Sequence, residues 1–72
     1  MSMKGKARIT AAEVLRGIAK VRKLQGRLHV LRTTTTGRTR DWQRTVTRTM
    51  VQALPGWKVD RIEDKEIIMV AP

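Results

Sequence analysis

The apolar positions near the start of the chain follow a helical period. Ala11, Val14, Leu15, Ile18 and Val21 recur at the spacing of one helix face. Thr10-Ala11-Ala12-Glu13 precedes them as a capping box, in which the Thr hydroxyl and the Glu carboxylate each satisfy a free backbone N–H. Ile9 and Val14 stand at the staple positions around that cap. The pattern predicts a first helix that tolerates Gly17, stops at Gly26 and carries Arg16, Lys20 and Lys23 on its far side.

From Arg27 the period shortens to two. Leu28 and Val30 fall on one face and His29 and Leu31 on the other, which predicts a strand over 27–34. Thr33 to Thr36 extend the β tendency and Gly37 breaks it. A second helix is expected over about 41–54, capped by Asp41 or Thr39 and ended by Pro55-Gly56. Its apolar face is Trp42, Val46, Met50, Ala53 and Leu54, while Arg40, Arg44 and Arg48 form a separate stripe at i, i+4 spacing. Trp57 to Ile62 and Glu66 to Ala71 then read as two strands joined by a tight turn near Asp64-Lys65.

The expected architecture is α+β, a single (β)αβαββ domain with two helices packed on one face of a three- or four-stranded sheet. The bracketed strand covers about 6–10. Residues 1–8 read as a flexible basic N-terminus and 9–72 as one compact domain. With the leading strand included, the element order is similar to that of Alba-type chromatin proteins and of the C-terminal domain of translation initiation factor three. Both families bind nucleic acid, so the resemblance implies a nucleic-acid partner; being one of element order, it assigns no role to any residue.

Size changes the picture next. A chain of 72 residues supports one small core, and such domains often gain stability by oligomerising. The segment Ile67-Ile68-Met69-Val70 is apolar on both faces, as in strands covered from both sides. It therefore predicts a homodimer or higher oligomer built on these four residues. The absence of cysteine excludes disulfides and thiolate zinc sites, and a lone histidine, His29, argues against a His-based metal cluster. No cofactor is expected. No apolar run approaches the roughly 18 residues of a membrane span, and the basic N-terminus has no apolar stretch behind it, so a cytoplasmic protein without membrane contact is expected.

Charge points to the partner. The chain has a formal net charge of +10, from 16 Lys and Arg against 6 Asp and Glu. Residues 1–59 hold 14 of the basic side chains and only Glu13 and Asp41 as acids; residues 60–72 reverse the balance with Asp60, Glu63, Asp64 and Glu66. So basic a domain repels itself unless a polyanion supplies counter-charge, and nucleic acid is the commonest one. Arg32-Thr33-Thr34-Thr35-Thr36-Gly37-Arg38-Thr39-Arg40 combines hydroxyls, a Gly-freed backbone and guanidinium groups beside a helix N-terminus, all of them phosphate ligands. The expected contacts are Arg32, Thr35, Thr36, Arg38, Arg40, Arg44 and Arg48, with Arg16, Lys20 and Lys23 as a second set. The segment lacks the Gly spacing and Lys-Ser/Thr ending of a phosphate-binding P-loop.

Aromatic content sets the style of binding. With no Phe or Tyr and only Trp42 and Trp57, the chain cannot build the stacking platform of single-strand binders. Backbone contacts to duplex DNA or structured RNA are expected instead. The carboxylates around the last turn do not match an EF-hand loop and read as a hairpin paired with nearby Lys or Arg. His29 has no Ser, Cys or acidic neighbour in sequence, and no constellation supports an enzyme. The rival reading is a small regulator or inhibitor of the kind phages and mobile elements encode, which would dock on an acidic protein surface and block a host enzyme or nucleic-acid-binding complex.

Overall fold

The computed structural model describes residues 13–72. Glu13 and Val14 are helical, and the chain then forms β1 (Ala19–Leu24), β2 (Arg27–Arg32), α1 (Thr39–Ala53), β3 (Lys58–Ile62) and β4 (Glu66–Val70). The four strands make one sheet in the order β1-β2-β4-β3, with every neighbouring pair antiparallel. Because β2 and β3 both run antiparallel to β4, they are parallel to each other, and α1 connects them as a split βαβ unit with β4 inserted between.

Register decides which side chains meet the helix. Leu28 of β2, Met69 of β4 and Val59 of β3 lie in one row across the sheet, and Val30, Ile67 and Ile62 in the next. Their side chains point to the same face. On α1, Trp42, Val46 and Met50 recur every four residues and pack on that face, with Leu54 just beyond the helix and Leu15 ahead of β1 completing the core. Ile67, Met69, Val30 and Val46 are fully excluded from solvent. A bulge at Asp60 shifts the β3 register between Val59 and Arg61, and the last two strands turn through Asp64-Lys65 as expected.

The first expected helix is corrected. The described residues hold one complete helix against the sheet, not two, and the stretch read as the second half of a helix is the edge strand β1. Two glycines exchange the roles assigned to them. Gly17, read as an interior residue, sits at φ 86° and turns the chain out of the helical turn, while the N–H groups of Ile18 and Ala19 both donate to the Leu15 carbonyl. Gly26, read as the helix stop, sits with Gln25 at positive φ, 75° and 53°, which is the backbone of the two-residue turns that match strand twist and close hairpins. The expected apolar face is broken up accordingly: Leu15 is in the core, Ile18 and Val21 are half-buried against it, and Val14 is 57% exposed.

Other corrections follow from the same topology. β2 ends at Arg32, so Thr33 to Thr36 are loop rather than strand. The order β-β-α-β-β among the described residues is not the one on which the likeness to Alba-type proteins and the initiation-factor domain rests. The capping box at Thr10 and the short strand over 6–10 lie outside the described residues. Among those described, no helix is long and apolar enough to cross a membrane.

The expected oligomer interface on β4 loses the ground on which it was expected. Ile67 and Met69 are buried beneath α1 within the single chain, so neither is available to a second copy. Ile68 and Val70 point to the other face, where Ile68 is already only 7% exposed between His29 and Arg61 in its row. Ile67, Ile68 and Met69 are thus buried by their own chain and Val70 half-buried, so the apolar strand does not require a dimer.

Candidate nucleic-acid interface

The stripe Arg40, Arg44 and Arg48 lies on α1 as its spacing demands. At 100° per residue these positions fall opposite Trp42, Val46 and Met50, and all three arginines are exposed. None of them takes part in an ion pair among the described residues. They form one wall of an open groove between α1 and the edge strand β3, whose apolar part is Val51 and Ile62, 46% and 53% exposed. Gln43 braces this flank by donating from Nε2 to the Glu63 carbonyl at 3.0 Å.

α1 is longer at its start than the sequence implied. It begins at Thr39 with Arg38 in the N-cap position, and neither Asp41 nor Thr39 caps it. Arg38 is exposed but lies on the other flank of the helix, over a shallow recess with Ile18, Asp41, Trp42 and Thr45. It is therefore not part of the stripe. Thr36 is tied into the loop: its N–H donates to the Thr34 hydroxyl at 3.2 Å, and the two hydroxyls share a 2.9 Å hydrogen bond. Thr35 is exposed between them.

Arg32 has a different occupation from the one its neighbours in sequence suggest. Its Nε donates to the Thr34 carbonyl at 2.9 Å, Nη1 to the Thr39 hydroxyl at 3.0 Å, and Nη2 to the carbonyls of Thr36 and Gly37 at 3.3 and 3.2 Å. The guanidinium carbon also stands 5.7 Å from the Trp42 ring centroid, a cation–π distance. Arg32 is the hub that shapes the Thr loop, since its donors face loop carbonyls that would otherwise compete for water. Trp42 anchors the same corner by donating from Nε1 to the Ile18 carbonyl at 2.8 Å.

This assigns Arg32 an expected mutational signature. Arg32→Ala removes hydrogen bonds from a charged donor, each worth about 1.5–3 kcal/mol in general. Because the group is only half-buried, a total loss of about 1–3 kcal/mol is expected by chemical denaturation. The salt dependence of any nucleic-acid binding should stay as in the parent chain, because no phosphate contact is lost. A slope reduced by a full contact would show that Arg32 touches phosphate after all.

The second set of basic residues is dispersed. Arg16 lies in the turn before β1, whereas Lys20 and Lys23, being three apart in a strand, point to opposite faces of the sheet. The acidic cluster is likewise divided. Asp60 pairs with Arg27 at 3.1 Å, Glu63 with Arg61 at 3.0 Å, and His29 Nδ1 donates to Glu66 Oε2 at 2.9 Å. The partner of His29 comes from β4, far away in sequence, and only the strand register brings the two together. No group of three or more His and carboxylate side chains that could hold a metal occurs among the described residues.

Comparisons with protein-family models, with curated proteins and with solved structures give no match. The geometry alone carries the functional reading.

Proposed function

We propose that the protein is a non-enzymatic nucleic-acid-binding module whose α1 arginines grip the phosphate backbone of duplex DNA or structured RNA. The observation that carries this reading is the exposed stripe Arg40, Arg44 and Arg48, which takes part in no ion pair among the described residues of a chain of net charge +10. Like charges at i, i+4 weaken a helix by a few tenths of a kcal/mol per pair. A phosphate backbone relieves that repulsion, and the adjoining Val51 and Ile62 offer an apolar shelf to the sugar edge.

Trp42 is 4% exposed and Trp57 half-buried against the core, so neither is a free stacking surface. This supports backbone contact over base stacking. Three of the four hairpin carboxylates are paired with Arg27, Arg61 and His29, so the acidic hairpin offers little free charge to a basic protein partner.

The test is a salt titration of binding to a duplex. If about 3–5 phosphates are neutralised, log affinity falls against log salt with a slope of about −3 to −4.5. Arg44→Ala should reduce the slope by about one unit and lower affinity alike for all sequences. Affinity that is independent of salt would reject the proposal.

A further inference from the structure

We infer that the sheet face turned away from α1 is a second phosphate-binding surface, centred on Lys20, Arg22 and Lys58, so that one chain joins two nucleic-acid segments. The inference takes its partner class from the reading above but uses different residues on the opposite side of the molecule.

The sequence from Val14 to Arg40 contains eight Lys and Arg and no Asp or Glu. Five of those cations lie in the β1–β2 hairpin: Lys20, Arg22 and Lys23 in β1, Arg27 and Arg32 in β2. Register sorts them by face. Lys20 pairs with Leu31 and Arg22 with His29, and neither Leu31 nor His29 is in the core beneath α1. Lys20 and Arg22 therefore project from the open face, where both are exposed. Lys58, opposite Val70 on the far edge of the sheet, projects the same way and is exposed.

The charge balance of this face identifies what it takes. Two of the nearby carboxylates are in ion pairs with arginines, Asp60 with Arg27 and Glu63 with Arg61 at the edge, and Glu66 is hydrogen-bonded to His29. Lys20, Arg22 and Lys58 take part in no ion pair among the described residues. They stand on the two outer strands, which are three strand spacings or about 14 Å apart, with Lys58 in the row of Leu24, offset along the strand from Arg22 and Lys20. The surface between them includes no Phe, Tyr or Trp, and its one ring, His29, is half-buried on Glu66. Unpaired cations on both outer strands, two on β1 and one on β3, without a stacking ring between them suit a phosphate backbone rather than splayed bases.

One duplex cannot serve both surfaces. The α1 stripe points away from the sheet on one side, and Lys20, Arg22 and Lys58 point away from it on the other, with the whole core between. Duplex DNA stays stiff over about 150 bp, so a segment of about 20 bp does not wrap round the molecule. Engaging both faces therefore requires two segments.

The experiment is a capture assay. One duplex of about 20 bp is immobilised, a second of the same length is labelled, and DNA and RNA versions are each used. The protein is kept at concentrations where light scattering gives a monomer. The parent chain should retain the labelled duplex. Lys20→Glu with Arg22→Glu should reduce that retention about tenfold or more while changing affinity for a single duplex less than about threefold, because the α1 stripe is untouched. Circular dichroism checks that the double variant folds, and the milder Lys20→Gln with Arg22→Gln should give an intermediate loss. Binding to a single duplex without capture of a second overturns this inference and leaves the proposed function standing. Capture that survives the double reversal also overturns it. No binding to either kind of duplex rejects the proposed function and this surface together.

Discussion

Replacing Arg44 and Arg48 together with Glu is expected to abolish duplex binding at physiological salt. Each reversal removes one phosphate contact and adds a like charge at the same place, so the pair converts most of the stripe from attraction to repulsion. A protein making a handful of phosphate contacts owes most of its non-specific affinity to counterion release, so losing two of them is not a marginal change. Both side chains are exposed and have no partner among the described residues, so the fold should be untouched. The helical signal in circular dichroism should match the parent. The Glu replacements also remove like-charge repulsion from Arg40 at i, i+4, so the melting temperature should stay level or rise slightly. Binding by fluorescence anisotropy decides the matter: an affinity and salt slope equal to the parent would mean that the stripe is a solvated face and the reading of α1 is wrong.

Trp42→Ala is expected to have the largest effect on stability. A domain of 72 residues has roughly 4–11 kcal/mol in total at the usual stability per residue. Truncating a buried Trp typically costs about 3–5 kcal/mol. Here it also empties the corner where the indole N–H holds the Ile18 carbonyl and the ring backs the Arg32 guanidinium. The expected fall in melting temperature is about 12–40 °C, using about 4–8 °C per kcal/mol for a domain this small. Trp42→Phe separates packing from hydrogen bonding. It keeps most of the ring, and the Ile18 carbonyl still accepts from the Thr33 N–H at 3.0 Å, so a loss of only about 1 kcal/mol is expected. A thermal melt of Trp42→Ala within a few degrees of the parent would place Trp42 outside the core.

The elements that could be read from the sequence are those with a clean period and a marked end. α1 shows its apolar face at Trp42, Val46 and Met50 and stops at Pro55-Gly56. β2 alternates, and β3 and β4 flank an evident turn. β1 was hidden because Ile18 and Val21 fit a helical spacing, while the alternation of Ala19 and Val21 with charged residues is short and weak. An edge strand buries only one side of itself against few neighbours, so it has few apolar residues to announce it. The choice was settled by backbone conformation at Gly17 and Gln25-Gly26, which composition does not reveal.

The stripe was legible because i, i+4 spacing depends only on the helix. The use of Arg32 was not, because it depends on three loop carbonyls turning inward, and sequence shows side chains rather than the direction of carbonyls. The His29–Glu66 contact was equally invisible, since it needs the register of β2 on β4. The open face followed from that register as well. Lys20 and Lys23 share a flank on a helix but part company on a strand.

The insertion of β4 between β2 and β3 has a consequence for how the molecule is made. β4 is the last of these elements to leave the ribosome, yet it occupies an interior position in the sheet and supplies Ile67 and Met69 to the core. The β1–β2 hairpin is local and can close early, within microseconds of its emergence. β3 and β4 are joined by a tight turn and pair just as locally, so β2 and β3, which are not neighbours, come into one sheet only when the β3–β4 hairpin docks on β2. Until that docking, the edge of β2 and the edge of β4 that will meet are both unpaired. During that interval a strand of another chain can pair with either edge, which makes the β2–β4 seam the place most exposed to mispairing.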